Sequence, residues 1–205
     1  MKSAKNLIEQ LKFLPYFSKN AIFQLGKQLG LKDATIDTYI SRFLKNKEIL
    51  RLKNGLYTSA DFFDKNRSEI SYAFYLANIL RSPSYVSSWT ALQYYNLATE
   101  AIRAITSVTP KVTMSYQTKA GSFAYQSIKK ELFSDFSLVK GKFDFFIATP
   151  VKALFDALYF KTHQFRGVRL KDIKPLIEAW RIDFDEMDKD EQSKFYAMIK
   201  KHLSI

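Results

Sequence analysis

The chain has 205 residues, of which 47% are hydrophobic and 25% charged, with only six glycines and five prolines. This composition is typical of a folded globular protein and excludes a disordered or collagen-like chain. Cysteine is absent from the sequence, which excludes disulfides, thiolate zinc sites and thiol nucleophiles. No apolar run is long enough for a signal peptide or a spanning helix, so we expect a cytoplasmic protein without a membrane partner.

The charge of the chain is strongly positive and unevenly distributed. The net charge is +12, and the surplus of Lys and Arg over Asp and Glu is six in residues 1–65, five in residues 66–130 and one in residues 131–205. A charge that served only solubility would have no reason to avoid the last third. We therefore interpret the front of the chain as a polyanion-binding surface, for nucleic acid before anionic membrane, with an ordinary solvated surface as the alternative.

The first 45 residues predict three short helices. Apolar residues at helical spacing indicate a first helix over Asn6–Leu14. A second helix follows the N-cap residue Ser18 and ends near Gly30, which we expect to have a positive φ. A third begins at Asp33, which we expect to be its N-cap, and its apolar stripe is centred near Ile36.

The opposite face of the third helix is small, polar and basic. It carries Ala34, Thr35, Thr38, Ser41, Arg42 and Lys45. Short hydroxyl side chains allow close approach to DNA, while Arg and Lys contact bases and phosphates. The sequence therefore predicts a helix-turn-helix whose second helix enters the major groove. The predicted contacts with bases and phosphates are Thr35, Thr38, Ser41, Arg42 and Lys45.

A hairpin is predicted directly after the third helix. The segments Ile49–Leu52 and Leu56–Thr58 flank Lys53-Asn54-Gly55. Asn-Gly between two strands indicates a type I′ turn, which needs a positive φ at both residues. This hairpin would be the wing of a winged helix-turn-helix over residues 1–62, with Arg51, Lys53 and Asn54 reaching phosphate or the minor groove.

The remaining residues, 63–205, predict a mixed α/β domain. The pattern indicates helices over residues 68–80 and 89–95, and then strands over 104–109, 112–117, 122–128, 136–139 and 143–148. Short connections favour a mostly antiparallel sheet. Thr149 and Pro150 then begin a helix that ends near Phe160, and two further helices follow. The predicted fold class is thus α/β (α+β), an N-terminal winged helix-turn-helix followed by this domain.

Three segments resemble a known family in order and spacing. The segments Arg51–Tyr57, Ser84–Leu97 and Ile147–Tyr159 resemble AbiEi-family antitoxins of bacterial type IV toxin-antitoxin, or abortive infection, systems. The resemblance covers roughly residues 7–160. This chain departs from the family pattern at Val151, where an acid is usual, and at Tyr95-Asn96, where the pattern ends in glycine.

The resemblance implies a transcriptional repressor and antitoxin. The winged helix would bind inverted repeats in the promoter of its own operon, and the C-terminal domain would counteract a nucleotidyltransferase-like toxin. A type IV mechanism does not assume a stable complex with that toxin. The implied protein is not an enzyme and has no cofactor and no metal.

Two alternatives remain open from the sequence. The protein could regulate other genes through a C-terminal domain that senses a ligand or mediates assembly. A metal-dependent nuclease would gather carboxylates with a lysine, and Asp135, Asp144 and Asp156 with Lys140, Lys142 or Lys152 are the candidates. No acid-x-Lys element follows a second acid at suitable spacing, and His163 and His202 lack the pattern of metal ligands. We therefore predict no catalytic or metal-binding residues.

Overall fold

A computed structural model describes residues 2–99 and 103–203. The fold is mixed α/β, as predicted, with one three-stranded and one six-stranded sheet among the described residues. These residues divide into two compact units. The N-terminal unit lies within Met1–Ala73 and Tyr116–Ser122, and the C-terminal unit lies within Phe74–Ser115 and Phe123–Ile205.

The N-terminal unit contains three helices, a small antiparallel sheet and a fourth, short helix. In chain order these are α1 (Lys2–Leu11), β1 (Phe17–Ser18), α2 (Lys19–Gln28), α3 (Asp33–Lys45), β2 (Ile49–Lys53), β3 (Leu56–Ser59) and α4 (Ala60–Asn66). The strand order is β1-β3-β2, and both pairings are antiparallel. Strand β1 was not predicted, because only two residues pair there.

Local capping chemistry begins and ends α2 as predicted. The Ser18 Oγ accepts a hydrogen bond of 3.1 Å from the Ala21 amide. At the other end Gly30 has a φ of 71°, and its amide donates to the Lys27 carbonyl at 2.9 Å. The Leu31 amide donates to the Gly26 carbonyl at 3.0 Å, which completes a Schellman motif.

The prediction that Asp33 is the N-cap of α3 was wrong. The cap position is Lys32, whose side chain makes no capping hydrogen bond, and Asp33 is the first helical residue. A carboxylate there still lies near the positive end of the helix dipole, so the acid is favourable without being the cap.

The apolar stripe of α3 packs into the core of the N-terminal unit. Ile36, Ile40 and Phe43 are buried there together with residues of α1, α2 and β2. Helices α2 and α3 approach closely at Gly26, where an added Cβ would lie 2.5 Å from Ile36 Cδ1. A glycine is therefore required at this crossing for steric reasons rather than for its φ angle.

The β2–β3 hairpin forms as predicted, but its turn is of another type. Gly55 has a φ of 73°, whereas Asn54 is not among the residues with a positive φ. The register also shifts between Arg51 and Lys53, which marks a bulge. A bulge beside one left-handed glycine replaces the predicted type I′ turn, because the bulged hairpin needs a positive φ at the glycine alone.

The N-terminal unit extends past residue 62, where we predicted the domain boundary. Helix α4 was not predicted, although the Ser59 Oγ caps it by accepting from the Phe62 amide at 3.0 Å. Beyond it the Tyr72 hydroxyl donates to the Pro15 carbonyl at 2.7 Å, and the rings of Phe62 and Tyr72 lie 5.5 Å apart. These contacts keep the residues up to Ala73 with the N-terminal unit.

The rest of the chain supplies the six-stranded sheet and further helices. The elements are α5 (Ile70–Leu80), β4 (Tyr85–Val86), α6 (Ser88–Tyr94), β5 (Ile105–Thr109), β6 (Met114–Thr118), β7 (Gly121–Ser127), a 3₁₀ turn (Lys130–Leu132), β8 (Phe136–Val139), β9 (Phe145–Ala148), α7 (Pro150–Lys161), α8 (Leu170–Ala179), a second 3₁₀ turn (Phe184–Glu186) and α9 (Lys189–His202). The strand order is β6-β7-β5-β4-β9-β8.

The six-stranded sheet is mixed. Strand β4 pairs antiparallel with β5, and β8 pairs antiparallel with β9. The pairs β4–β9 and β5–β7 are parallel. These parallel pairs were not predicted. A short connection indicates only that consecutive strands pair, whereas β4 and β9, and β5 and β7, are not consecutive. Strand β4, at only two residues, was not predicted either.

Helix α7 is the central helix of the C-terminal unit and begins as predicted. The Thr149 Oγ1 accepts from the Lys152 amide at 3.3 Å, and Pro150 occupies the first turn. The helix is buried from Val151 to Tyr159, including its two charged residues in that stretch.

Candidate nucleic-acid interface

The structure places the predicted contact residues of α3 along one side of the helix. Thr38, Ser41, Arg42 and Lys45 are exposed, and Thr35 is half-buried. They lie on the side opposite Ile36 and Ile40, which are buried. We call this set of five residues the outer face of α3. It has short hydroxyl groups at its centre and cationic groups toward the C-terminal end of the helix.

Thr38 presents a defined hydrogen-bonding pattern to its surroundings. Its hydroxyl donates to the Ala34 carbonyl at 2.8 Å, so the hydroxyl hydrogen is used within the helix. The oxygen lone pairs and the exposed γ-methyl remain available. An acceptor beside a methyl group suits the exocyclic amine of adenine or cytosine, or the methyl group of thymine.

Arg42 lies at the flank of the outer face and is held against aromatic rings. Its guanidinium carbon lies 5.0 Å from the centre of the Tyr39 ring and 5.9 Å from that of Phe43. Cation–π contacts of this kind hold the planar guanidinium in place before it binds anything. Arg42 also borders an open groove of about 840 Å³ that α1 and the start of α4 line on the other side.

The acidic residues of α3 are paired with lysines of α2. Asp37 Oδ1 lies 2.8 Å from Lys19 Nζ, and Asp33 Oδ1 lies 3.4 Å from Lys27 Nζ. The hydrogen bond with Asp37 raises the pKa of Lys19 above its ordinary value. These pairs offset the negative charge of α3, so Arg42 and Lys45 determine the sign of the outer face.

Lys19 connects three elements of the N-terminal unit and was missed by the sequence reasoning. Its side chain binds Asp37 on α3, while its amide donates to the Gly55 carbonyl in the hairpin turn at 2.8 Å. Since Lys19 is itself the first residue of α2, it ties the helix pair to the hairpin. Nothing in the sequence signals a pair between residues this far apart.

The hairpin carries the other predicted contact residues. Arg51 and Asn54 are exposed, and Lys53 is half-buried. Arg51 lies opposite Tyr57 and Lys53 opposite Leu56, with the bulge between them. Because a bulge twists its strand, it changes the direction in which these cationic side chains leave the hairpin.

The carboxylates considered for a nuclease site have separate structural roles. Asp144 Oδ1 accepts from the Gly141 amide at 3.0 Å in the turn before β9, Asp135 accepts from the Ser134 hydroxyl at 2.6 Å, and Asp156 is fully buried. Within residues 2–99 and 103–203 no group of three or more His, Asp or Glu residues could hold a metal ion. Asp135, Asp144 and Asp156 therefore do not form such a group among the described residues.

Comparison with protein-family models and with curated proteins gives no match to this chain. The similarity of the three segments to AbiEi-family antitoxins therefore remains a prediction. Across the described part of the chain, none of the helices combines the length and the apolar character needed to cross a membrane.

Proposed function

We propose that the N-terminal unit is a winged helix-turn-helix, with α3 as the recognition helix and the β2–β3 hairpin as the wing, and that the protein is a sequence-specific transcriptional repressor. One observation carries this proposal. The outer face of α3 presents hydroxyl and cationic groups, while the acids of the same helix are paired with Lys19 and Lys27. A helix that served only solubility would have no need for this arrangement.

The geometry supports different roles for different contact residues. Thr38 and Ser41, at the centre of the outer face, would contact base edges in the major groove. Lys45 and the flanking Arg42 suit phosphates or a guanine edge. Arg51, Lys53 and Asn54 would contact phosphate or the minor groove from the wing. Thr35 is half-buried and would position the helix by packing against the DNA backbone.

We further propose an AbiEi-like antitoxin that represses its own operon and counteracts a nucleotidyltransferase-type toxin from the cytoplasm. Support comes from the resemblance and from one structural relation between its segments. Asp156, in the third segment, accepts hydrogen bonds from Tyr85 and Ser87, in the second. The second and third segments thus share one buried hydrogen-bonded network in this chain.

A mobility-shift experiment on the upstream region of the protein's own gene tests the DNA-binding proposal. We expect the protein to shift this DNA, and we expect unrelated DNA of the same length to be a poor competitor. Lys45→Ala should weaken binding to all sequences. It should also reduce the slope of log affinity against log salt concentration by about one, which corresponds to the loss of one phosphate contact. Thr38→Ala should instead relax the preference at one base pair. No shift at moderate salt, or equal competition by unrelated DNA, would overturn the proposal.

The antitoxin proposal needs a separate test. A nucleotidyltransferase gene beside this one should be toxic when expressed alone and tolerated when this protein is expressed with it. Truncation to the N-terminal unit would remove the C-terminal unit that is proposed to counteract the toxin. The full-length variant Lys45→Ala is therefore used. It should lose repression and keep the protection. If no such neighbouring gene exists, the alternative of a regulator with a ligand-sensing C-terminal unit is favoured.

A further inference from the structure

Strand β8 is one edge of the six-stranded sheet. It pairs with β9 on one side, and among the described residues no strand pairs with it on the other. Its register with β9 runs from Phe136 to Val139 without a bulge, and the strand contains no charged residue and no proline. Proteins usually protect sheet edges with charges, prolines or bulges, because the outer N–H and C=O groups can pair with another chain. Strand β8 has none of these and is therefore open to a further strand.

A pair of exposed apolar side chains lies beside this edge. Leu138 on β8 is opposite Phe146 on β9, so both side chains project from the same face of the sheet. Leu138 is 43% exposed and Phe146 is 41% exposed. A strand added beside β8 would bring one of its own side chains against Leu138 and so remove apolar surface from water.

The charges at the two ends of β8 are opposite in sign. Asp135 immediately precedes the strand and Lys140 immediately follows it, and both residues are exposed. When two copies of β8 pair antiparallel, the beginning of each strand lies beside the end of the other, so each Asp135 lies beside a Lys140. A parallel pair would place like charges together, which is unfavourable. The charges of β8 therefore complement those of a second, antiparallel copy.

Strand β6, at the other edge of the sheet, lacks this complementarity. Lys111 lies before the strand and Lys119 lies after it, with no acidic residue between them. Two antiparallel copies of β6 would place lysines beside lysines at both ends. Of the two edges of this sheet, only β8 thus has charges that suit pairing with itself.

We propose that β8 pairs antiparallel with β8 of a second copy of this chain, which joins the two six-stranded sheets of a twofold-symmetric dimer. A twofold axis perpendicular to the sheet passes beside a residue that faces its own counterpart. That residue is Leu138, because the row across the sheet then reads Phe146, Leu138, Leu138, Phe146. In this register Asp135 lies opposite Gly141 of the second copy, next to Lys140.

The dimer does not depend on the proposed function, although the two are related. Each copy contributes a strand of only four residues, so the interface is small and the dimer should be of modest affinity. If α3 binds DNA as proposed, the dimer carries two recognition helices and would bind two half-sites related by twofold symmetry.

Sedimentation velocity of the full-length protein without DNA tests the dimer. The sedimentation coefficient should rise with protein concentration toward that of a dimer. Lys140→Glu places like charges at both ends of the paired strands and should weaken the dimer about tenfold. Lys119→Glu makes the same change of charge in the turn after β6 and should leave the dimer as it is.

A mixture of two charge variants gives a sharper test. Asp135→Lys alone also places like charges at both ends and should weaken the dimer as Lys140→Glu does. An equal mixture of the two variants should dimerise about as well as the wild type, because the heterodimer pairs opposite charges at both ends. Circular dichroism shows whether each variant is folded, and a mixture of folded variants that stays monomeric would overturn the proposal.

A single cysteine tests the register and remains decisive if Asp135→Lys does not fold. The chain has no cysteine, so a disulfide in Leu138→Cys can only link two copies. Opposite residues of antiparallel strands have Cα atoms about 4.5–5.5 Å apart, which is within the range of a disulfide. Leu138→Cys should therefore oxidise to a covalent dimer much faster than Met114→Cys, which lies exposed on the β6 edge. Equal rates would indicate random collision and would overturn the assigned pairing.

The remaining outcomes also decide the question. A protein that stays monomeric up to about 1 mM, or a dimer that Lys140→Glu and Lys119→Glu weaken equally, would contradict pairing through β8. Failure of the proposed function is distinguishable, because an intact dimer that does not shift DNA refutes DNA binding alone.

Discussion

Removing one partner of the buried Lys152–Asp156 pair should strongly destabilise the C-terminal unit. Lys152→Met leaves Asp156 fully buried without its counter-charge, and Asp156→Leu leaves the ammonium and two hydroxyl donors without their acceptor. Breaking a buried pair in this way costs about 3–5 kcal/mol, whereas replacing both partners by apolar groups is often nearly neutral. The double variant still leaves the Tyr85 and Ser87 hydroxyls without their acceptor, so it should be more stable than Asp156→Leu, and the costs of the two single variants should not add.

Tryptophan fluorescence during urea denaturation can measure this in the full-length protein. Both tryptophans, Trp89 and Trp180, belong to the C-terminal unit, and their rings lie 5.3 Å apart. With a denaturant dependence of about 2 kcal/mol per molar urea, each single variant should lower the midpoint by about 2 M. The reasoning is refuted if the free energies of the single variants add in the double variant, or if Lys152→Met costs less than about 1 kcal/mol.

Three further predictions concern the two units separately. Gly26→Ala should destabilise the N-terminal unit by about 1–3 kcal/mol through overpacking. The added Cβ would lie 2.5 Å from Cδ1 and 2.7 Å from Cγ1 of Ile36, so Ile36→Ala, which removes both atoms, relieves the clash, and the double variant should cost less in thermal melts by circular dichroism than the sum of the two single variants. Lys19→Met should expose the charge of Asp37 and weaken DNA binding about tenfold, whereas Lys19→Met/Asp37→Asn should bind nearly as the wild type does in mobility shifts. Because burial in the folded protein lowers the pKa of His202 from 6.5, the unfolded chain takes up the proton first, so stability should fall as pH drops below about 6.5. His202→Gln should remove this loss in urea midpoints measured across that range, and an unchanged pH profile would contradict the assignment.

Local chemistry made several parts of the fold predictable. Ser18 and Thr149 cap their helices, and Gly30 ends α2 with a positive φ, because each of these features depends only on residues a few positions away. The turn at Asn54 was mispredicted for a related reason. Asn-Gly permits a type I′ turn, but the hairpin instead has a bulge between Arg51 and Lys53.

Features that depend on distant residues could not be predicted. Strand β4 has two residues and obtains its place from β5 and β9, which come later in the chain. Lys152 and Asp156 are four residues apart in a predicted helix, but nothing in the sequence indicated that they would be buried, because charged residues rarely are. Their burial follows from Tyr85 and Ser87, whose hydroxyl groups bind Asp156.

The candidate DNA-binding surface depends on both kinds of information. The outer face of α3 was predictable from helical periodicity, but the sequence counts Asp33 and Asp37 against its positive charge. The structure pairs these acids with Lys27 and Lys19, so α2 supplies the neutralisation that allows α3 to approach phosphates. Since such exposed pairs contribute little to stability, their effect should appear mainly in DNA affinity. A stability scan of the N-terminal unit would therefore overlook Lys19, whereas a binding assay would detect it.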